Sequence, residues 1–506
     1  MFLKKIDLLA LLVLTLFTLI SFSQVKKSSY TDRTEILNYF EKNQNKELYQ
    51  AAVFLTDNIS NHYSVSNIWL DEKNNPIKFE ATKFKDIEQA NQEFTILKKE
   101  IGIKPQKKII HDIDVIDKKM LIKNIELAYY SWKNNPWSKD YDFKTFCEYI
   151  LPYRSITEPI EDWRSEYQLA FEKLSNDMQD PNDPVELCSK VIENLKHFDF
   201  VINRFDPKPF LGPNELLFWR QGTCQDLANV ALFASRALGV AVTFDYTPHF
   251  AASSNRHYWN TVIDKKGINI PFNGNQNYPY AWNPNSKRMG KVYRVTYSEQ
   301  PGNLASIIPE SEIPNELKSK NILDVTSEYV EVSDINYTFN SIENAKIGYI
   351  NVFNVGEWRP IFWSKINNKN CIYKNMGRDI VYLPGVFKSG KMKLVNYPVL
   401  VDKKGKATIL EPNFKDLYTA NLSRSNEEKS KYTDNNTFQI MKGEKYQLLV
   451  WNQNWQLVEE QTALEDDHIN YTKVPKNGLF LIAPLKPNFF ERIFTINPAT
   501  NTITWY

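Results

Sequence analysis

The sequence predicts an α+β protein with a mainly helical amino-terminal region, a central core and two carboxy-terminal β-sandwich-like modules. Apolar residues recur at helical spacing in the first third of the chain, as at Ile36, Tyr39 and Phe40. After about residue 310, alternating stretches separated by Gly, Asn and Pro are typical of strands and turns. The length of 506 residues exceeds what one hydrophobic core supports, so roughly three or four domains are expected.

The composition indicates folded domains and gives no sign of nucleic-acid binding. Hydrophobic residues make up 42% of the chain and aromatic residues 14%, which is more apolar surface than a disordered protein carries. Lys and Arg number 62 against 60 Asp and Glu, without a long run of one sign. We therefore expect no basic surface for nucleic acid.

The four cysteines, Cys147, Cys188, Cys224 and Cys371, are widely spaced and form no CxxC pair. This pattern predicts neither a disulfide scaffold nor a thiolate metal cluster, although one disulfide could still form. No nucleotide-binding loop is visible in the sequence, so we expect a mechanism without a metal or another cofactor. The question is then which thiol has a reactive environment.

Residues 1–23 are predicted to be a signal peptide. Lys4 and Lys5 precede a short apolar run, and the small residues Ser21 and Ser23 fit a cleavage site before Gln24. An uncleaved membrane anchor is the alternative, but the apolar run is shorter than the roughly twenty residues that a spanning helix needs. We expect an exported protein that is periplasmic, attached to the cell surface or secreted, without a transmembrane segment after cleavage.

Changes of pattern along the chain indicate the domain boundaries. A break at Pro181 to Pro184 ends the helical region, and Val185 to Leu195 is predicted to be a helix that leads into the core. A polar linker near Ser423 to Asn436 is expected beside the second β module. The predicted domains are 24–181, 182–310, 311–420 and 421–506.

The two β modules are predicted to be related, because an approximate repeat runs through the last third of the chain. Trp358 and Tyr373 can be laid over Trp455 and Tyr471, and in each copy a strand-like segment ending in Pro follows. The tryptophans of this region could stack on sugars or peptides at a surface, or they could form sandwich cores. Core packing is the favoured interpretation.

Of the four thiols, that of Cys224 is predicted to be the most reactive because of its position. The segment Gln221 to Leu227 opens a helix that is expected to run to Leu238, and Thr223 and Asp226 have the spacing of a capping box. Cys224 then lies in the first turn, where unpaired N–H groups and the helix dipole favour an anion and lower the thiol pKa. A cysteine in the first turn of a helix can also be an ordinary core residue. A second residue that can act as a general base is therefore needed before the position indicates catalysis.

His257 is the candidate base and Asn273 the candidate orienting group. His257 begins a predicted strand, at an edge where it can face a cleft. Asp264 is about 23 Å further along that strand, which is too far to orient the imidazole. A three-residue hairpin loop with Gly267 at positive φ puts Asn273 opposite Trp259, on the face of His257. An amide oxygen there can accept the imidazole N–H.

The oxyanion of an acyl-transfer reaction needs hydrogen-bond donors, and the backbone N–H of Cys224 is the natural first one. Gln221 and Trp219 lie just upstream in the sequence and are candidates for the second donor through their side chains. Each of them is equally suited to a packing or turn position, so both interpretations stay open.

Several segments carry a family resemblance: Gly222 to Ala228, Arg236 to Val240, His257 to Asn260 and Ile270 to Asn273. Together they resemble the core of the transglutaminase-like superfamily, over about residues 182 to 300, in the order Cys, His and then acid or amide. The resemblance implies a papain-like, transglutaminase-like core and a thiol mechanism through an acyl-enzyme. The third residue of the catalytic triad is usually Asp in this family, whereas this chain has Asn273.

The leading hypothesis is an exported thiol acyl-transfer enzyme, a cysteine protease or amidase acting on peptide-like amides through Cys224, His257 and Asn273. The expected partner is a peptide or protein substrate, with cell-wall peptide or glycan as an alternative. A protein-cross-linking transglutaminase is a variant of the same chemistry, and hydrolysis is favoured because no acidic calcium loop is visible in the sequence. The alternative from another class is a catalytically inactive binding or scaffold protein of the same fold.

Overall fold

The computed structural model describes residues 33–205, 210–251, 256–340, 345–429, 431–432, 439–484 and 492–506. The predicted signal peptide, residues 1–23, lies outside them. Helices make up 31% of the chain and strands 34%, in several sheets, so the predicted α+β class is confirmed.

The chain divides into two compact units. The predicted domain boundaries at residues 181, 310 and 420 are finer than this division and stay predictions. The first unit comprises the chain up to Phe244 together with Trp259–Trp282 and Val295–Glu299, and the second comprises Asp245–Tyr258, Asn283–Arg294 and Gln300–Tyr506.

Helices dominate the amino-terminal part of the first unit. Several begin after an Asn or Asp whose side chain accepts a first-turn N–H, as Asp117 does from Met120 at 2.9 Å. Their apolar faces pack around Phe40, Leu121 and Phe146, which are fully buried. The longer helices are residues 33–42, Lys46–Asn58, Ile87–Ile101, Lys118–Asn134, Phe143–Tyr149, Arg164–Phe171, Pro184–Leu195, Pro213–Trp219 and Cys224–Ala237, the last called the Cys224 helix below.

Strands outside the β modules form small sheets. A three-stranded sheet has the spatial order Pro76–Ile77, Tyr63–Leu70 and Lys104–His111. A five-stranded sheet has the spatial order Ile322–Asp324, Tyr293–Val295, Val242–Thr247, His257–Ile263 and Asn269–Phe272. A short parallel pair joins Asp199–Phe200 to Gln221–Gly222.

The hairpin predicted for the core is present. It joins the strands His257–Ile263 and Asn269–Phe272 in antiparallel register. Gly267 has the predicted positive φ in the turn, at +79°. Continuing the register by one position puts Asn273 opposite Trp259, as the sequence predicts.

Three buried arginines connect the helices of the first unit. Arg154 makes a bidentate ion pair with the buried carboxylate of Asp112. Arg236, in the last turn of the Cys224 helix, donates from Nη1 to the carbonyl of Arg154 at 2.8 Å. Arg164 in turn donates from Nη1 to the carbonyl of Arg236 at 3.0 Å. Each buried charge is thus hydrogen-bonded, as burial requires.

The second unit contains two β modules with the same topology. In each, the first strand pairs with the fourth, and the others form a sheet in the order third, second, fifth, sixth and seventh. In the first module, Ile335 and Tyr373 of the pair share a core with Ile350 and Tyr382 of the sheet, so two layers form a sandwich.

The bounds of the strands show how the two modules correspond. The first module has Val332–Thr338, Ile347–Asn354, Glu357–Lys365, Asn370–Gly377, Ile380–Lys388, Val399–Val401 and Ala407–Ile409, with Lys391–Leu394 as an extra strand beside its fifth. The second module has Asn413–Ser423, Lys445–Trp451, Trp455–Thr462, His468–Lys476, Phe480–Pro484, Ile493–Ile496 and Ile503–Trp505.

Local details repeat as well, and they confirm the predicted repeat. The hairpin of the second and third strands carries a β-bulge in both modules, with Ile361 as the extra residue in one and Val458 in the other. Tyr373 and Tyr471, which the sequence lays over each other, each donate from the hydroxyl to a carbonyl of the second strand at 3.2 Å.

The tryptophans of the repeat pack against one another where the two modules meet. Trp358 contacts Trp451 with ring centroids 5.7 Å apart, and Phe353 contacts Trp455 at 6.2 Å. These rings belong to one hydrophobic cluster with buried residues of both modules. Their contacts support packing rather than stacking on a sugar or peptide.

His62 makes the stability of the first unit depend on pH. Its buried ring stacks on Tyr297 at 4.2 Å, and its Nε2 lies 2.8 Å from the Tyr297 carbonyl. Burial, assisted by the charge of Arg154, lowers the pKa of His62 from its ordinary 6.5 to about 3. The unfolded chain takes up this proton below pH 6.5 and the folded unit does not. The contribution of His62 to stability is therefore lost as the pH falls from 6.5 toward 3.

We predict that His62→Gln, which keeps a side-chain donor but does not titrate, reduces the loss of stability in acid. The free energy of unfolding should fall more steeply for the wild type than for the variant, by up to about 1.4 kcal/mol per pH unit below the ordinary histidine pKa. Urea unfolding at a series of pH values measures the slopes, and His111→Gln, at an exposed histidine, is the control. Equal slopes for the wild type and His62→Gln would contradict the prediction.

Candidate active site

The Cys224 helix begins at the predicted cap. Asp226 is fully buried, and its carboxylate accepts the backbone N–H of Thr223 at 2.8 Å and the Thr223 hydroxyl at 2.7 Å. Arg204 forms an ion pair with the same carboxylate, and the N–H of Leu211 donates to it at 3.3 Å. A buried carboxylate with these donors fixes the helix start that carries Cys224.

Cys224 differs from the other cysteines in its access to solvent. Cys147, Cys188 and Cys371 are buried, whereas Cys224 is partly exposed. Burial raises the pKa of Cys147 and of Cys188 to about 12, and it raises the pKa of Cys371 as well. These three thiols are therefore neutral and unreactive at neutral pH. Cys224 combines partial exposure with a position in the first turn of a helix.

The start of the Cys224 helix is also held by the segment around residues 199–204. The short parallel strand pair joins Asp199–Phe200 to Gln221–Gly222, and the side chain of Arg204 reaches the carboxylate of Asp226. A Cβ on Gly222 would lie 2.4 Å from the Cβ of Asp226. The close approach of the helix start therefore requires glycine at this position.

Asn273 lies in a turn that packs on the Cys224 helix. A Cβ on the next residue, Gly274, would lie 3.2 Å from the backbone nitrogen of Ala228 in that helix. The amide nitrogen of Asn273 donates to Oε1 of Gln276 at 3.0 Å, within the same turn. The turn therefore brings the backbone at Asn273 next to the Cys224 helix. In the predicted triad, the amide oxygen of Asn273 is the atom that would accept the imidazole N–H of His257.

Asn260 connects its strand to the same helix. Its Nδ2 donates to the carbonyl of Ala228 at 2.9 Å, and its buried Oδ1 has no hydrogen-bond partner among the described residues. Asn229, the next residue of the helix, accepts from the hydroxyl of Ser155 at 2.6 Å. Buried amides of this kind fix the relative position of strand and helix, because breaking their hydrogen bonds leaves polar groups unpaired.

The two candidate oxyanion donors differ in burial. Trp219 ends the helix Pro213–Trp219, is buried and stacks on Phe205 with ring centroids 4.6 Å apart. Its Nε1 has no hydrogen-bond partner within the described part of the chain. Gln221 is partly exposed, and its backbone belongs to the short parallel pair.

His257 begins its strand, as predicted. It belongs to the second unit, whereas Cys224, Asn273, Trp219 and Gln221 all belong to the first. That the imidazole of His257 lies within reach of the Cys224 thiol therefore stays a prediction.

No protein-family model matches the chain, and no curated protein matches it significantly. In the ranges that the structure describes, no group of three or more His, Cys, Asp or Glu side chains is arranged to hold a metal ion. None of the described helices combines the length and the apolar character of a membrane span. The transglutaminase-like assignment therefore stays a proposal that rests on the residues themselves.

Two residues of this site were not predicted, Arg204 and Asn260. They contact the Cys224 helix from 22 and 32 positions away in the sequence. Arg204 could have been noticed as the one charged residue between Phe200 and Phe205, upstream of the acidic cap residue. Asn260 could have been noticed as an amide side chain between the apolar residues Trp259 and Val262, with only Thr261 beside it, where burial demands a partner.

We predict that Gly274→Ala destabilises the protein more than Gly267→Ala. Both glycines have positive φ, at +51° and +79°, so both variants bear a strain of roughly 1 kcal/mol. A Cβ at Gly267 meets nothing within 4 Å, whereas one at Gly274 presses on the backbone of the Cys224 helix. Gly274→Ala should therefore cost about 1–3 kcal/mol more, which urea unfolding measures. Equal costs would show that the turn does not pack on the helix.

Proposed function

We propose that the chain is an exported thiol acyl-transfer enzyme with a transglutaminase-like core, most simply a cysteine protease or amidase acting on peptide-like amides. The observation that carries the proposal is the position of Cys224. It is the partly exposed thiol, it lies in the first turn of a capped helix, and the other cysteines are buried with raised pKa values.

In the proposed reaction, the thiolate of Cys224 attacks the carbonyl carbon of the amide and forms the C–S bond. The backbone N–H of Cys224 stabilises the oxyanion, and a side-chain N–H of Trp219 or of Gln221 is the second donor. Protonated His257, oriented by the amide oxygen of Asn273, gives its proton to the leaving amine as the C–N bond breaks. Water or an amine then attacks the thioester, His257 takes its proton, and the C–S bond breaks to restore the thiolate.

Hydrolysis and transfer to an amine share the thioester, so the position of Cys224 supports acyl transfer as a class. A catalytically inactive binding protein of the same fold is the alternative that the following experiment separates.

Iodoacetamide is expected to alkylate Cys224 in the folded protein at least about tenfold faster than in the unfolded chain near pH 6, because an imidazolium and a helix start stabilise the thiolate. His257→Ala should remove most of this advantage and move the rate profile toward the ordinary thiol pKa. His197→Ala, at an exposed histidine, is the matched control and should leave the profile unchanged. Peptide mapping by mass spectrometry assigns the label.

If Cys224 in the folded protein reacts no faster than in the unfolded chain, the enzyme proposal fails and the binding-protein alternative is favoured. A rate that is equally high in His257→Ala would remove His257 from the mechanism while leaving Cys224 as a reactive thiol.

A further inference from the structure

We propose that the outer edge of the strand Lys104–His111 binds an extended acidic segment of a partner protein by strand addition. The strand lies at one edge of the three-stranded sheet, because it pairs only with Tyr63–Leu70 in the part of the chain that the structure describes. It contains none of the candidate active-site residues, so the proposal is separate from the proposed enzyme. Three features support it: a regular backbone, a row of outward N–H groups and positive charge.

The backbone of this edge strand is regular and accessible. It pairs with Tyr63–Leu70 over its full length of eight residues, without a bulge. Its side chains are exposed, except that of Ile110, which is partly exposed. Bulges and covering elements are common ways of blocking an edge, and the described residues place neither along this strand. The edge is therefore open to another strand.

The contact that follows the strand shows which N–H groups point outward. The N–H of Asp112 donates to the carbonyl of His62 at 3.1 Å, which continues the antiparallel register by one position. Backbone groups of successive residues alternate between the two edges of a strand, so the even-numbered residues bond to Tyr63–Leu70. The odd-numbered residues have their N–H groups at the free edge, and these are Lys107, Ile109 and His111.

Two further observations agree with this direction. Val65 lies opposite Ile109, and its N–H donates away from the ladder, to the carbonyl of Thr157 at 2.8 Å. Directly opposite residues of an antiparallel pair either bond each other or both point away, so Ile109 points outward as well. Pro105 is also odd-numbered, and its missing N–H therefore costs no hydrogen bond of the ladder.

The charge of the strand selects the partner. Three lysines of the strand are exposed, and their opposite residues in the ladder are uncharged, namely Leu70, Asn67 and Ser66 for Lys104, Lys107 and Lys108. The strand Tyr63–Leu70 contains no acidic residue, so no carboxylate of the adjacent strand balances these charges. A strand added at the free edge places its own side chains opposite the lysines, where a carboxylate is favoured and a like charge is disfavoured.

The same lysines disfavour a second copy of this chain as the occupant. Pairing two copies edge to edge would bring their lysines together, and lysine on an edge strand commonly protects against such self-association. An acidic segment gains from the charges that repel a copy, so the lysines favour the one partner and reject the other. Ile109, whose side chain is 54% exposed, adds an apolar contact for the partner strand.

The test uses the full-length mature protein and two fluorescein-labelled hexapeptides, Thr-Val-Val-Glu-Glu-Thr and Thr-Val-Val-Gln-Gln-Thr. In antiparallel register the first places its two Glu residues opposite Lys108 and Lys107. Fluorescence anisotropy is expected to show about tenfold tighter binding of the acidic peptide. Lys107→Gln combined with Lys108→Gln should remove this preference. Lys144→Gln combined with Lys173→Gln, at two exposed lysines elsewhere, changes the net charge equally and should preserve it.

Ile109→Pro tests strand addition itself, because it removes an outward N–H and no hydrogen bond of the existing ladder. It should weaken binding of the acidic peptide at least about tenfold, whereas Ile109→Ala keeps the N–H and should stay within about threefold of the wild type. N-methylation of alternate peptide residues removes the corresponding N–H groups of the peptide and should weaken binding in the unaltered protein as well.

Equal or undetectable binding of the two peptides overturns the proposal. So does tight binding that survives both Ile109→Pro and N-methylation of the peptide, since it would show attraction between charges without strand addition. Self-association of the wild type that Ile109→Pro abolishes would make a second copy the occupant and overturn the proposal too. These measurements do not involve Cys224, so their failure and the failure of the proposed enzyme are distinguishable.

Discussion

The buried arginines fix the end of the Cys224 helix, and the candidate site depends on that constraint. Arg236 donates from Nε to the carbonyl of Val242 at 3.0 Å and also bonds the carbonyl of Arg154. Burial lowers the pKa of Arg236 to about 10 and that of Arg164 to about 9. Removing one of these guanidinium groups would leave several buried carbonyls without donors. The arginines therefore hold the Cys224 helix, the start of the strand Val242–Thr247 and the amino-terminal helices in one arrangement.

Both ends of the Cys224 helix are therefore fixed by buried charge, Arg236 at one end and Asp226 at the other. Cys224 itself has a small side chain that contributes little to this arrangement. A thiol that is positioned by its neighbours can stay partly exposed and reactive, whereas Cys188 is inert because it serves as part of the packed interior.

Local patterns in the sequence predicted the parts of the structure that depend on local physics. The helix at Cys224 follows from its cap, and the hairpin follows from Gly267 and the alternation of its strands. The repeat of the β modules was visible because duplicated strands keep their tryptophan and tyrosine positions. The contacts of Arg204 and Asn260 were not predictable in this way, because they depend on how distant segments pack and not on spacing.

The ring contacts between the β modules are reciprocal. Phe353 and Trp451 hold equivalent places before the hairpin turn, and Trp358 and Trp455 hold equivalent places after it. Phe353 meets Trp455 and Trp451 meets Trp358, so each copy presents the same patch to the other. This is an isologous association, the kind that relates two subunits by a twofold axis, formed here within one chain. Because each copy uses this patch to contact the other, the patch is buried in both modules by the same set of contacts.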